Sequence, residues 1–148
     1  MLAWEPQLLR LIGRMPRSGN AADLFWYEGE ACCVFHPLNA FERDGEIVAD
    51  MMKYAAGPGF PYVDGRPPDP AQAIARLERW RFPLTVGANH YTTTALDQDA
   101  AEYPRCDERY ATRPYRHGFY ASTADDRGRA AVFDRITHYD FATNKKTL

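Results

Sequence analysis

The chain has 148 residues, of which 45% are hydrophobic and 14% aromatic, and its formal net charge is −2 at pH 7. A chain of this length and composition can bury one hydrophobic core, so we expect residues 1–148 to form one domain or part of a larger one. The balanced charge argues against the strongly basic surface that attracts nucleic acids or anionic membranes, and no nucleic-acid partner is expected.

The N-terminal twenty residues, MLAWEPQLLRLIGRMPRSGN, lack the apolar run of about 7–15 residues that a secretory signal peptide requires. No stretch reaches the roughly 18 apolar residues of a transmembrane helix. We therefore expect a cytoplasmic protein without a transmembrane segment. The three cysteines, Cys32, Cys33 and Cys106, provide neither a disulfide framework nor a paired zinc motif, and we expect reduced, mostly buried thiols.

The patterns in the first half of the chain are those of β-hairpins. In LFWYEGEACCVFH, aromatic and β-branched runs flank Glu28-Gly29-Glu30, which predicts a hairpin with its turn at these residues. A turn is expected at residues 39–42, and a second hairpin is predicted around Asp44-Gly45, because Asp-Gly favours a two-residue hairpin turn. Residues 57–70 hold five prolines and three glycines, so this segment is predicted to be a surface loop between units.

One later segment carries two competing patterns. In DPAQAIARLERW, Pro70 and the spacing of the apolar residues favour a helix. However, RLERWRF at residues 76–82 aligns with RITHYDF at residues 135–141, which follows it by 59 residues, and both stretches alternate as strands do. A repeat of this length fits a β-propeller with long loops between blades. We therefore predict strands at both places, in neighbouring antiparallel sheets, and no long helix at residues 70–80.

The candidates for metal or nucleophilic chemistry are few. The four histidines, His36, His90, His117 and His138, include no pair at the spacing that would place two ligands on one helix face or in an H-x-H strand motif. The chain has no G-x-S-x-G, P-loop or dinucleotide-binding motif. By itself, His36 at the end of an apolar run is most simply interpreted as a structural residue.

Two segments nevertheless resemble the carotenoid oxygenase family, which includes carotenoid cleavage dioxygenases and lignostilbene dioxygenases. They are CVFHPLNAFERDGEIVAD at residues 33–50 and AEYPRCDERYATRPYRHGFYA at residues 101–121. The family elements F-H-x-x-N-A-[FY]-E and E-[FY]-P-R, followed by R-P-Y-R, occur here in order, and the resemblance covers nearly the whole chain. It implies an all-β fold: a partial seven-bladed β-propeller of antiparallel blades, with a few of the seven blades within residues 1–148.

The resemblance also implies a non-haem Fe(2+) site on the propeller axis, held by four histidines. In that picture His36 is an iron ligand, and Glu102 is the glutamate that accepts the N–H of a ligand histidine and fixes its tautomer. Phe35 would reach the substrate tunnel, although a buried core aromatic is an equally good interpretation. Asn39 and Glu42 are expected to tie together the turn after the ligand.

The other polar residues near these motifs match no functional position of the family. His90, His117 and His138 are expected to be ordinary surface or packing residues. The arginines Arg109, Arg113 and Arg116 alternate with acidic residues, so a solvated face of ion pairs is predicted.

The parent function that the resemblance implies is the cleavage of a conjugated carbon–carbon double bond of a carotenoid, apocarotenoid or stilbene by Fe(2+) and O₂. Only one of the four ligand histidines matches a position of this chain. We therefore expect a fragment of a dioxygenase that is inactive alone, with the missing parts of the propeller as its partners. The alternative is a non-catalytic β-propeller remnant that acts as a binding or structural module.

Overall fold

The structure is a computed structural model that describes residues 3–123 and 133–148. The described residues form strands in antiparallel sheets, together with two 3₁₀ turns, Ala21–Asp23 and Glu108–Tyr110, and none of their helices is long and apolar enough to cross a membrane. The prediction of an all-β protein is confirmed. The strands are β1 (Arg10–Arg14), β2 (Phe25–Gly29), β3 (Cys33–Arg43), β4 (Glu46–Tyr54), β5 (Ala75–Pro83), β6 (Thr92–Ala95), β7 (Ala100–Cys106), β8 (His117–Thr123), β9 (Arg135–Asp140) and β10 (Lys145–Thr147).

The strands are arranged in three sheets that follow one another in sequence. Strands β1 and β2 form a two-stranded sheet, here called the ribbon. Strands β3 to β6 form a four-stranded sheet, blade 1, and strands β7 to β10 form a second, blade 2. Within each blade the strands lie in sequence order, and the chain passes from the last strand of one blade to the first strand of the next. This is the meander arrangement of propeller blades.

The hairpin predicted at Asp44-Gly45 is confirmed. Arg43 pairs with Glu46 across the turn that joins β3 and β4. Asp44 has a φ of 53° and Gly45 a φ of 78°. Two successive residues in the left-handed region are what a tight turn matched to the twist of the strands requires, and Asp-Gly adopts them at low cost.

The hairpin predicted at Glu28-Gly29-Glu30 is wrong, because β2 pairs with β1 and β3 pairs with β4. Gly29 lies opposite Arg10, and its backbone fits against the Tyr91 hydroxyl, where a Cβ atom would clash. Gly29 is therefore a residue of close packing and not of a turn. The local pattern identified both strands but carried no information about their partners.

Two further expectations are corrected in blade 1. Residues 39–42 do not form a turn but continue β3, whose register is irregular on both sides of Pro37. Residues 57–70 form a loop without a strand, as predicted. However, this loop joins β4 to β5 within one blade, whereas the prediction placed it between two separate units. It is tied to the N-terminal segment by an isolated parallel bridge between Trp4 and Tyr62.

The internal repeat is confirmed. Residues 76–82 lie in β5 and residues 135–140 form β9, and each strand is the third of its blade. No helix forms at residues 70–80. The apolar residues after Pro70 have the spacing of a helix, but residues 75–83 form a strand instead. This strand, β5, alternates between buried and partly exposed residues and pairs with β4 along its whole length.

Blade 1 is packed on both faces. One face meets blade 2 in a cluster of buried side chains, and the other meets the ribbon in a second cluster. The first cluster consists of Leu38, Met52, Tyr54, Ala75, Leu77, Ala101, Tyr120 and Tyr139, and the second of Tyr27, Ala49, Trp80 and Phe82. The fold is thus a stack of ribbon, blade 1 and blade 2.

A buried polar network joins the two blades. The Asp50 carboxylate of β4 is fully buried and accepts hydrogen bonds from Arg79 Nε at 2.7 Å and Arg79 Nη2 at 2.9 Å. From blade 2, the Tyr115 hydroxyl donates to Asp50 Oδ2 at 2.6 Å, and the Arg79 guanidinium lies 4.9 Å from the centroid of the Phe141 ring. Burial, with the adjacent Asp50 charge, raises the pKa of Tyr115 far above its usual range, so its hydroxyl remains a donor.

A second network holds the last strand in place. The buried Asp97 carboxylate accepts hydrogen bonds from the Tyr120 hydroxyl at 2.6 Å and from Lys146 Nζ of β10 at 2.8 Å. Burial alone would raise the pKa of Asp97, but the hydrogen bonds from Lys146 and Tyr120 outweigh it and the pKa is lowered. Lys146 also binds Asp99 at 2.6 Å, so β10 is fixed to the segment that enters blade 2.

Replacing Arg79 by Met is expected to lower the free energy of unfolding by about 3–5 kcal/mol, because it leaves the Asp50 charge buried without its cation. Urea denaturation measures the change. Arg81→Met is the matched control, since the Arg81–Glu46 pair lies on the same two strands with both side chains more than a third exposed, and a loss below about 1 kcal/mol is expected. Equal losses in the two variants would contradict a special role for the buried network.

Candidate functional site

The side chains of His36 and Glu102 meet although 66 residues separate them in sequence. The distance between His36 Nδ1 and Glu102 Oε2 is 2.7 Å. His36 lies on β3 and Glu102 on β7, the first strand of each blade. The two residues come together because the blades pack with these first strands adjacent. The family resemblance predicted that Glu102 accepts the N–H of a ligand histidine without saying which one, and in the structure the histidine that contacts Glu102 is His36.

The two partners differ in their exposure to solvent. The Glu102 side chain is 5% exposed, whereas the His36 side chain is 49% exposed. The register of β3 shifts on both sides of Pro37, directly after His36, and such irregularities redirect the side chains beside them. The His36 imidazole is therefore half-exposed to solvent, while the carboxylate that it contacts is buried.

The Glu102 carboxylate is fixed by an unusual backbone bend. Tyr103 has a φ of 55°, in the left-handed region, and its backbone N–H donates to Glu102 Oε2 at 2.8 Å. The register of β7 against β8 shifts at the same place, between Glu102 and Arg105. A bulky residue at positive φ costs free energy and tends to persist at functional sites. Oε2 therefore accepts two hydrogen bonds, one from His36 and one from the strained backbone.

The second carboxylate oxygen, Glu102 Oε1, is buried and has no hydrogen-bond partner among the described residues. Tyr54 lies beside the carboxylate, and burial together with its proximity to Glu102 raises the pKa of Tyr54 well above its usual range. An unpaired buried oxygen costs about 1–3 kcal/mol.

The contact with Glu102 decides which nitrogen of His36 can bind a cation. A carboxylate only accepts hydrogen bonds, so the proton of a neutral His36 resides on Nδ1. Nε2 then keeps its lone pair and is the nitrogen available to a metal. An imidazole held by a buried carboxylate fits the donor set of an iron ligand.

His36 is a single donor. The described residues contain no group of three or more His, Cys, Asp or Glu side chains that could hold a metal ion. The remaining ligands of an iron centre would have to come from outside the described residues. The assignments of His36 as metal ligand and Glu102 as its support stay predictions.

Aromatic rings surround the exposed imidazole. Phe35 is 44% exposed, so the interpretation of Phe35 as a buried core residue is wrong, and its ring centroid lies 5.5 Å from that of Tyr54 and 6.1 Å from that of Phe60. Tyr103 is 62% exposed, and its ring centroid lies 5.5 Å from that of His36. The assignment of Phe35 to the substrate site stays a prediction. The sequence analysis missed Tyr103, although its place directly after Glu102 could have suggested it.

Asn39 does not tie a local turn, as was expected, but reaches into blade 2. Its Nδ2 donates to the carbonyl oxygens of Tyr110 and Arg113, both at 3.1 Å, and its Oδ1 accepts from the N–H of Thr112 at 3.0 Å. Asn39 therefore holds residues 110–113, the segment between β7 and β8, against blade 1. Glu42 is exposed on β3.

Two of the three arginines in the predicted face of ion pairs have acidic partners. Arg109 pairs with Asp107, and Arg116 pairs with Asp140 through Nη2 and Oδ2 at 2.8 Å. His90 is exposed. His117 and His138 contact each other at 2.9 Å, which their spacing in sequence did not indicate.

The three cysteines are free and partly buried. Cys32 contacts Arg10 and packs in the cluster beneath the ribbon, whereas Cys33 packs in the cluster between the blades. Burial raises the pKa of each thiol. The thiols are therefore not activated as nucleophiles or metal ligands.

Comparison with known proteins shows consistent matches over most or all of the chain. The profile of the retinal pigment epithelial membrane protein family matches residues 1–148. Isoeugenol monooxygenase of Pseudomonas putida is 36% identical over 117 residues, which are 78% of this chain and 24% of that protein. Carotenoid cleavage oxygenase of Mycobacterium tuberculosis is 34% identical over 128 residues, 79% of this chain and 23% of that protein.

The structural comparison agrees. The crystal structure of Pseudomonas brassicacearum lignostilbene dioxygenase superposes with a TM-score of 0.86 and 31% identity, covering 97% of this chain and 32% of that chain. The fold is therefore a partial β-propeller, as predicted. The chain spans about a quarter of the length of the curated relatives it matches.

Replacing Glu102 by Ala is expected to release the His36 ring and to remove its preference for the Nδ1–H tautomer, because the acceptor at 2.7 Å is lost. Nitrogen-15 NMR of the imidazole at alkaline pH, where the ring is neutral, reports the tautomer. Glu42→Ala, an exposed glutamate on the strand of His36, is the control and should leave the tautomer unchanged. The same tautomer populations in Glu102→Ala and in the unaltered protein would show that the contact does not orient the ring.

Proposed function

The chain belongs to the carotenoid oxygenase family, and we propose that it is part of a dioxygenase that cleaves a conjugated carbon–carbon double bond with O₂. The proposed substrate is a carotenoid, an apocarotenoid or a stilbene, in keeping with the names of its relatives. The observation that carries the proposal is the contact between the half-exposed His36 and the buried Glu102 across two blades.

The metal in this proposal is Fe(2+). His36 would hold it through Nε2, while Glu102 keeps the proton on Nδ1 and fixes the plane of the ring. Activation of dioxygen is the chemistry that a bound Fe(2+) supplies at such a site. Glu102 is itself held by the backbone N–H of Tyr103, so the direction of the imidazole is set by the bend in β7.

The aromatic residues near His36, namely Phe35, Phe60 and Tyr103, form what is here called the aromatic rim, which would bind the substrate. Phe35 and Tyr103 expose their rings near His36, and Phe60 packs against Phe35. Rings of this kind pack edge-on or offset against a flat conjugated chain and exclude water from it. Such a rim orients an extended conjugated substrate beside the imidazole without requiring a charged group.

We propose further that the chain acts as part of a larger propeller, in which other segments supply the remaining histidines. The described residues hold no group of three or more His, Cys, Asp or Glu side chains that could bind the metal, and the chain spans 24% of the length of isoeugenol monooxygenase. The ribbon also has two strands where each blade has four, which is the arrangement of an incomplete blade.

The isolated chain is expected to retain no stoichiometric iron at the His36 site and to cleave no stilbene or apocarotenoid. A single exposed imidazole binds Fe(2+) weakly, because the gain in affinity from several ligands on one scaffold is missing. Iron analysis of the purified chain and an oxygen-uptake assay measure both quantities. One tightly held iron per chain that is lost on His36→Ala, together with turnover, would contradict the proposal that other segments are needed.

A chimera tests the parent function directly. This chain replaces the matching 32% of Pseudomonas brassicacearum lignostilbene dioxygenase, and the product is expected to bind iron and to cleave a stilbene. His36→Ala in the chimera should abolish iron binding, and Glu102→Gln should reduce activity about 10–100-fold. His90→Ala is the control and should have no effect.

Two outcomes of the chimera experiment would count against the proposal. A folded chimera that binds iron normally without His36 would remove the ligand assignment. A folded chimera that holds iron through His36 but cleaves nothing would favour the alternative of a non-catalytic propeller module. Circular dichroism of each variant establishes that it is folded.

A further inference from the structure

The interface between the blades contains one buried polar atom that the contact with His36 does not use. Glu102 Oε2 accepts hydrogen bonds from His36 Nδ1 and from the backbone N–H of Tyr103, whereas Oε1 is buried without a hydrogen-bond partner among the described residues. The two blades that meet here each have four strands. The packing around Glu102 therefore does not depend on an outer face that a further blade would cover.

A buried tyrosine lies beside this carboxylate. Tyr54 is the last residue of β4 and lies opposite Cys33 in the register of β3 and β4. It is 6% exposed and belongs to the cluster between the blades, together with Ala101, the residue before Glu102. After burial itself, Glu102 is the group with the largest effect on the Tyr54 hydroxyl. The chain thus places a hydroxyl donor next to a carboxylate oxygen that lacks one.

The chemistry of the two groups fixes the direction of any hydrogen bond between them. Burial and the adjacent Glu102 raise the pKa of Tyr54 well above its usual range, so its hydroxyl keeps its proton at neutral pH. An ionised carboxylate only accepts hydrogen bonds. Tyr54 is therefore the donor and Glu102 the acceptor.

We propose that Tyr54 is a positioning residue of the candidate site, whose hydroxyl donates to Glu102 Oε1 and so keeps Oε2 turned toward His36. The last torsion of a glutamate side chain has a broad energy profile, so the carboxylate can turn to close this bond without a change in the backbone. The importance of the bond for iron rests on the proposed function, in which His36 holds Fe(2+). The bond itself does not require the metal.

A donor on Oε1 adds a restraint that the other two donors do not supply. His36 and the N–H of Tyr103 both bind Oε2, so they leave the carboxylate free to pivot about that one atom. A hydrogen bond to the second oxygen removes this freedom and fixes the plane of the carboxylate. The acceptor direction that His36 Nδ1 meets is then fixed as well, and with it the direction of Nε2.

The ring of Tyr54 has a separate role from its hydroxyl. The Phe35 ring of the aromatic rim packs edge-on against it, with centroids 5.5 Å apart and an interplanar angle of 69°. Tyr54→Phe keeps this ring contact and removes only the hydroxyl. The variant therefore separates the positioning of Glu102 from the support of the rim.

NMR of the isolated chain tests the hydrogen bond without iron. The unaltered chain is expected to show a tyrosine hydroxyl proton that exchanges slowly with water and is absent from Tyr54→Phe. Glu102→Gln should shift this signal upfield, because a neutral amide oxygen is a weaker acceptor than a carboxylate. In Tyr54→Phe the Nδ1–H of His36 should exchange with water about tenfold faster, because its acceptor is less firmly held.

Tyr120→Phe is the matched control. It removes another buried hydroxyl of the same cluster, which donates to Asp97 at 2.6 Å. This variant should lose stability but leave both the Tyr54 hydroxyl signal and the exchange of His36 Nδ1–H unchanged. A Tyr54 signal that does not respond to Glu102→Gln, or equal acceleration of exchange in Tyr54→Phe and Tyr120→Phe, would overturn the proposal.

The chimera with lignostilbene dioxygenase tests the consequence for catalysis. Tyr54→Phe in the chimera is expected to lower kcat about tenfold and to leave KM unchanged, since the ring that supports Phe35 remains. An active chimera with the same kcat in Tyr54→Phe would overturn the positioning role. If the unaltered chimera cleaves nothing, the proposed function fails, and the NMR experiment on the isolated chain still decides whether Tyr54 holds Glu102.

Discussion

The packing of blade 1 against blade 2 is the constraint on which the rest of the structure depends, and the Asp50 carboxylate lies at its centre. This buried charge is satisfied by Arg79 from its own blade and by Tyr115 from the other. His36 and Glu102 stand on the first strands of the same two blades, so their contact exists only while the blades are packed together. Stability and site geometry thus depend on one interface.

The site carries costs that the rest of the fold offsets. The left-handed backbone at Tyr103 and the unpaired Oε1 of Glu102 each reduce stability, by about 1–3 kcal/mol per feature. Both features serve to hold one carboxylate oxygen in front of His36. The clusters on either face of blade 1 and the hydrogen bonds of Asn39 to the loop of blade 2 supply compensating contacts.

What the sequence predicted, and what it did not, follows from the range of the interactions concerned. The turn at Asp44-Gly45 depends on the residues at the turn, and the repeat of β5 in β9 preserves a pattern of side chains, so both were visible in the sequence. Family motifs, and not the local pattern, predicted that Glu102 supports a histidine, but only the structure shows that His36 is the histidine in contact with it. The pairing of β2 with β1, the reach of Asn39 into blade 2 and the contact of His117 with His138 depend on strand register, which short stretches of sequence do not encode.

The position of blade 1 in the stack bears on how the protein opens. In the isolated chain its strands are covered on both faces, whereas blade 2 has one covered face and the ribbon has two strands. Local opening begins where few apolar contacts have to be broken, so excursions from the native state start in the ribbon and in blade 2. The carboxylate belongs to the less protected blade and the imidazole to the better protected one. When the contact breaks transiently, Glu102 would therefore move away while His36 stays in place. The local stability of blade 2 would set how often this happens.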